Sequence, residues 1–150
     1  MNRKDIFLEQ LIACHDQNNW FVSLHCAIDG LTEEQASWKG EGLTNSIWEI
    51  VNHLSYWNER YLNRFKGLPV SQTKGDNDST FYNTDDVDWP STVERINVIM
   101  SEWRNAIKEC DEAKLDSPAN KESDEPWSSV LTNLTIHNAY HIGQIVYIRK

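Results

Sequence analysis

The segment Ser46-Ile-Trp-Glu-Ile-Val-Asn-His53-Leu-Ser-Tyr-Trp-Asn-Glu-Arg60-Tyr-Leu62 decides the fold. Ser46 and Glu49 have the spacing of a capping box, in which each side chain satisfies a backbone N–H that the first helical turn leaves free. Ile47, Ile50, Leu54, Trp57 and Tyr61 then recur at steps of three and four, the period of a helix with one buried face. Gly67 and Pro69 stop the pattern, so a helix is predicted from Ser46 to Lys66.

Three more segments follow the same logic. Lys4 to Ile28 reads as one helix ended by Asp29-Gly30, with Ile6, Leu8, Leu11, Trp20, Val22 and Leu24 scattered around it. Thr92 to Cys110 carries a second capping box, Ser91-Thr-Val-Glu94, and a heptad seam of Val93, Ile96, Met100, Trp103, Ile107 and Cys110. Trp127 to the end holds a stripe of Val130, Leu134, Ile145 and Ile148, interrupted by Gly143, which is read as a close approach to a neighbouring helix. No run has the alternation of a strand series. Four amphipathic helices with polar connections predict an all-α fold, a four-helix bundle forming a single domain over residues 1–150.

Composition bounds the function. The chain has 150 residues, 39% of them apolar, enough for one core without covalent staples. A net charge of -9 repels phosphate backbones and anionic membrane faces, so neither nucleic acid nor membrane is an expected partner. The three cysteines, Cys14, Cys26 and Cys110, form no CxxC pair and are expected as small apolar side chains on helices. No signal-peptide pattern and no membrane-length run is present, which places the chain in the cytoplasm as a soluble protein.

Chemistry concentrates in histidine. His137 and His141 straddle the centre of the last apolar stripe, and residues four apart on a helix lie on one face with Cβ atoms roughly 6 Å apart. Two readings stand side by side: core histidines hydrogen-bonded to neighbouring helices, or two ligands of one divalent ion. The intervening residues exclude a zincin, whose second position is the general base Glu, whereas here it is Asn138. His53, flanking the stripe of its helix, is either a third ligand or a boundary histidine touching solvent. His15 and His25 have no partner in the sequence and are read as structural or exposed. Arg60, seven residues after His53, either holds a carboxylate of a substrate or is solvated at the bundle end. Gln144 and Asn133 either orient imidazole N–H groups or make polar contacts between helices. No general base is evident, and the aspartates of the long connection from Leu68 to Pro90 (Asp76, Asp78, Asp85, Asp86, Asp88) lie beyond phase arguments.

The segment quoted above resembles the second helix of the DinB-like (YfiT-like) superfamily of metal-dependent enzymes, and His137-Asn-Ala-Tyr-His141-Ile-Gly-Gln-Ile145 resembles its last-helix motif. Leu31-Thr-Glu-Glu-Gln-Ala36 also fits in order and spacing. The resemblance implies a four-helix bundle with His53, His137 and His141 as metal ligands, a divalent ion such as zinc or nickel, and a small-molecule substrate. For some relatives the substrate is a low-molecular-weight thiol and the reaction is thiol S-transfer. The expected function is thus a metal-dependent S-transferase or hydrolase. The alternatives are a non-catalytic bundle that binds a metal or ligand, and a metal-free bundle that forms a homodimer. The metal is expected to have an open position facing a pocket at one end of the bundle, roofed by the Gly30–Asn45 and Leu68–Pro90 connections.

Overall fold

The computed structural model describes residues 1–42, 45–71, 76–82 and 86–149. Six α-helices and one short hairpin make up the described chain: α1 (Arg3–His15), α2 (Leu24–Ile28), α3 (Glu33–Ser37), α4 (Ile47–Phe65), α5 (Trp89–Glu109) and α6 (Trp127–Arg149), with β1 (Pro118–Asn120) and β2 (Ser123–Pro126) between α5 and α6. The protein is therefore mostly helical, as expected. Of the four long helices, α1 packs on α5 and α6, and α4 packs on the same two.

Local chemistry sets the helix ends. The predicted box at Ser46 forms: Ser46 N–H donates to Glu49 Oε1 at 2.9 Å and Glu49 N–H to Ser46 Oγ at 3.1 Å. Gly67 adopts a φ of 74°, which closes α4 as its sequence position requires. At α5 the box at Ser91 does not form. Asp88 caps the helix instead, accepting from Ser91 N–H at 2.8 Å, and Pro90 falls in the first turn, where its missing N–H costs nothing.

The long first helix is also corrected, because the chain leaves helix after His15 and re-enters it only at Leu24. Asn18 Oδ1 accepts from Ser23 N–H at 2.9 Å, an Asn side chain competing with the helical backbone bonds. Trp20 is consequently 99% exposed rather than part of a core face. The hairpin Pro118–Pro126 departs from the strand-free expectation. It is polar, lacks β-branched residues, and is held by its turn, where Asn120 Oδ1 accepts from Glu122 N–H at 2.9 Å. Gly143 does not mark a close approach, since a Cβ there would meet nothing within 4 Å. Cys14 is buried as expected and Cys110 half-buried, but Cys26 on α2 is exposed. No helix among the described residues is long and apolar enough to cross a membrane.

The core is split in two. One cluster gathers Ile47, Ile50, Val51 and Leu54 of α4 with Ile96 and Met100 of α5 and Ile142 and Ile145 of α6. The other gathers Phe7 and Leu11 of α1, Leu62 and Phe65 of α4, Trp103 and Ile107 of α5, and Trp127, Leu131 and Leu134 of α6. A buried polar layer lies between them along both α4 and α6. Its centre is a reciprocal amide pair: Asn58 Nδ2–H donates to Asn138 Oδ1 at 2.8 Å, and Asn138 Nδ2–H donates to Asn58 Oδ1 at 3.0 Å. Asn58 also donates to Leu54 O at 2.8 Å, and its own backbone carbonyl accepts from the Trp103 indole at 2.9 Å, which brings α5 to the same level.

Two outcomes follow for stability. Asn138→Ala strands the buried Asn58 amide and is expected to cost ~1–3 kcal/mol in denaturant unfolding. Among the described residues Ser55 Oγ is buried without a hydrogen-bond partner, so Ser55→Ala is expected to be neutral or to raise the melting temperature by ~2–4 °C.

Candidate metal centre

His53 projects from the middle of α4 and His137 and His141 from the middle of α6, and the structure brings all three together. His53 Nε2 and His141 Nε2 each lie 3.1 Å from His137 Nε2. His53 and His141 are buried, and His137 is half-exposed.

The tautomers follow from what holds the outer nitrogens. The Thr80 hydroxyl donates its one proton to Asn77 O at 2.6 Å, so at His53 Nδ1, also 2.6 Å away, it accepts. His53 therefore carries its proton on Nδ1 and turns a lone pair inward from Nε2. His141 Nδ1–H donates to the Gln144 carbonyl oxygen at 2.7 Å, which leaves its Nε2 lone pair inward as well. His137 Nε2 has at most one proton to share between these two acceptors. One lone pair in the cluster is then left facing another nitrogen, and a cation resolves this where a proton on His137 does not. The spacing suits a metal. An ion with bonds of about 2.0–2.1 Å to nitrogen sets its ligands about 3.3 Å apart at tetrahedral angles and about 2.9 Å apart at right angles. The observed 3.1 Å lies between the two.

The surroundings keep the imidazoles neutral. Burial, with His141 and His137 adjacent, pushes His53 down to about 3. Burial and the neighbouring His141 push His137 down to about 4, and burial lowers His141 against the opposing pull of Gln144. Phe81 stacks on His53 with ring centroids 4.0 Å apart and planes 5° apart, which shields that ring from water. Both Phe81 and Thr80 come from a 3₁₀ turn, Asn77–Phe81, inside the long connection.

Other expected participants fall elsewhere. Gln144 orients His141, as one of its two readings holds, while Asn133 is exposed beside the half-exposed His137. Arg60 donates to Ser71 O at 2.6 Å and is thereby engaged on the loop backbone. His15 is buried on α1, with the Arg104 guanidinium 3.1 Å from its Nδ1, and His25 is exposed. Asp76 caps the 3₁₀ turn and Asp88 caps α5, Asp78 and Asp86 are exposed, and Asp85 lies outside the described residues. Among the described residues no carboxylate joins the histidine cluster.

The pocket beside the cluster is bordered by α4, the first turns of α6 and Asn77 of the Leu68–Pro90 connection. It measures about 310 Å³ and is lined by Trp57, Tyr61, Asn77, Glu125, Asn133 and His137 among others. Described residues of the Gly30–Asn45 connection do not line it; Gly42 and Asn45 border a separate groove at Gln144. Sequence reading missed Thr80, Asn58 and Asn138, whereas Phe81 belongs to the aromatics of the long connection that it expected at the site. The two asparagines did leave a signal, because each lies four residues after a stripe leucine, Leu54 and Leu134, in a phase that faces the core.

These features define a helical protein with a buried three-histidine cluster able to hold a metal. The family model of the DinB superfamily matches residues 23–145, a span that contains all three histidines, and the chain belongs to that superfamily. No curated protein and no solved structure matches the chain.

The depressed histidines give a signed pH dependence. An unfolded chain protonates them near pH 6.5, whereas in the native chain burial pushes His53 down to about 3 and His137 to about 4, and lowers His141 as well. The stability these histidines contribute to the metal-free protein is therefore fully present above pH 6.5 and is lost as pH falls toward 4. Denaturant midpoints of chelator-treated protein between pH 7 and pH 5 are expected to fall more steeply than those of a variant with all three histidines changed to Gln; equal slopes would contradict the assignment.

Proposed function

We propose that this chain is a divalent-metal-dependent enzyme built as a DinB-like four-helix bundle, in which His53, His137 and His141 hold one zinc or nickel ion. Its substrate is a small molecule, and the reaction is S-transfer from a low-molecular-weight thiol, or hydrolysis by the same site. The observation that carries this reading is the convergence of three Nε2 atoms, two with lone pairs fixed inward, beside a pocket that reaches His137.

An ion held by three neutral imidazoles keeps its full charge and favours the thiolate of a bound thiol or the hydroxide of a bound water. The chain's own residues supply the rest. Thr80 and Gln144 hold two rings in the ligating tautomer, Phe81 keeps water from His53, and the pocket leaves the His137 side accessible. With no described carboxylate in the cluster, the fourth position is left to solvent or substrate, which favours catalysis over a closed structural site. One observation favours a non-catalytic binding bundle: among the described residues no acid–base side chain besides the histidines joins the cluster.

Elemental analysis of untagged protein is expected to give one divalent ion per chain, with the ion lost when all three histidines are changed to Ala. Added metal is expected to raise the melting temperature of the wild type alone. Unchanged metal content in the triple variant would overturn the site. Small thiols are expected to perturb the visible spectrum of the cobalt-substituted protein. A silent spectrum, with no turnover from thiols and electrophilic acceptors, would remove the transferase reading.

A further inference from the structure

The pocket of about 310 Å³ at His137 has a chemistry of its own. Its lining includes one formally charged side chain, Glu125 at the end of β2, and no Lys or Arg among the described residues. Glu125 is not free to wander, because its Oε1 accepts from Ser129 Oγ–H at 3.1 Å. The same lining holds two aromatic rings. Trp57 and Tyr61 lie one turn apart on α4, with ring planes 30° apart and centroids 6.2 Å apart. The Trp57 indole is fixed by donating to Asn77 Oδ1 at 3.2 Å, and the Arg64 guanidinium, 5.4 Å from the Tyr61 centroid, lies outside the lining. Asn77 and Asn133 add neutral polar groups.

We propose that this pocket selects a small amine-bearing molecule. Its ammonium group pairs with Glu125, its body lies against Trp57 and Tyr61, and its other end reaches His137. An anionic ligand such as a phosphate ester or a dicarboxylate would meet a carboxylate and no cation in the lining, on a chain whose net charge is already -9. A cation is attracted by both the carboxylate and the indole face. The size is at the small end of ligand pockets, which span about 300–1,000 Å³. If the proposed metal is present, the selected molecule is an amine that carries a metal-binding donor at its far end, such as an aminothiol. That donor end rests on the metal reading, whereas the ammonium end does not.

The experiment separates the two. Phenethylamine and 3-phenylpropionate, similar in shape and opposite in charge, are titrated calorimetrically into metal-stripped wild type, Glu125→Gln and Glu125→Lys. Glu125 is exposed, so neither change disturbs the core. The amine is expected to bind wild type in preference to the carboxylate, to weaken ~5-fold in Glu125→Gln, and to lose its preference to the carboxylate in Glu125→Lys. In cobalt-loaded protein, an aminoalkanethiol is expected to perturb the spectrum at lower concentration than a mercaptocarboxylate of equal length. Equal binding of amine and carboxylate, or binding indifferent to residue 125, overturns the inference even where cobalt loads and thiols perturb its spectrum. Amine preference in stripped protein that never loads metal upholds the inference and removes the metal function instead.

Discussion

The amide clasp between Asn58 and Asn138 is the constraint on which the arrangement of the helices depends. An apolar stripe tolerates sliding by a turn, because leucine and isoleucine meet other apolar partners almost equally well. Two buried primary amides do not. Each must find donor and acceptor in the other, and a slip of one turn leaves both amide oxygens and the Asn138 Nδ2 without partners in a buried layer, only the Asn58 Nδ2–Leu54 O bond being kept. The indole of Trp103 donates to the backbone carbonyl of Asn58, so α5 is indexed by the same residue. The clasp thus sets α4 against α6, and His53, five residues before Asn58, arrives opposite His137, the residue just before Asn138.

Helix register alone does not make a ligand set. It brings the rings together, but their orientation is set by residues outside the apolar clusters. The 3₁₀ turn Asn77–Phe81 contributes both the hydroxyl that fixes the His53 tautomer and the ring that covers its face. Gln144, one turn beyond His141 on the same helix, acts in the same way there. The long connection is therefore part of the site, through Thr80 and Phe81 rather than through its aspartates, which serve mainly as helix caps where they have a defined role.

What was legible in the sequence divides along the range of the forces involved. The box at Ser46 and the stop at Gly67 are decided within a few residues, and both appear as expected. The histidines at positions 53, 137 and 141 stand out because a titratable ring on a core-facing phase demands an explanation, and the structure brings those three together. The DinB resemblance holds over most of the chain. Where two local devices compete, sequence is ambiguous: Asp88 and Ser91 both suit the start of α5, and Pro90 tips the choice toward Asp88. The break after His15 depends on side-chain bonds of Asn18 that helical periodicity does not register. Thr80 was invisible because a loop has no phase, and only the tertiary fold decides which of its residues face inward; for the same reason Phe81 could be named only as one of several loop aromatics.

Three neutral imidazoles turned toward one another conflict with a fold whose described buried side-chain polar groups, Ser55 Oγ apart, otherwise find partners. Such local frustration gives neutral drift a direction. In a descendant with no use for a cation, apolar replacements at positions 53, 137 and 141 would each relieve the conflict and fill the space, so they would be tolerated or favoured. Replacing Asn58 or Asn138 alone would leave a stranded amide and be purged. Relatives that have abandoned the chemistry should thus shed the histidines early while keeping the amides, and the two sets of positions would record separately the history of the activity and that of the architecture.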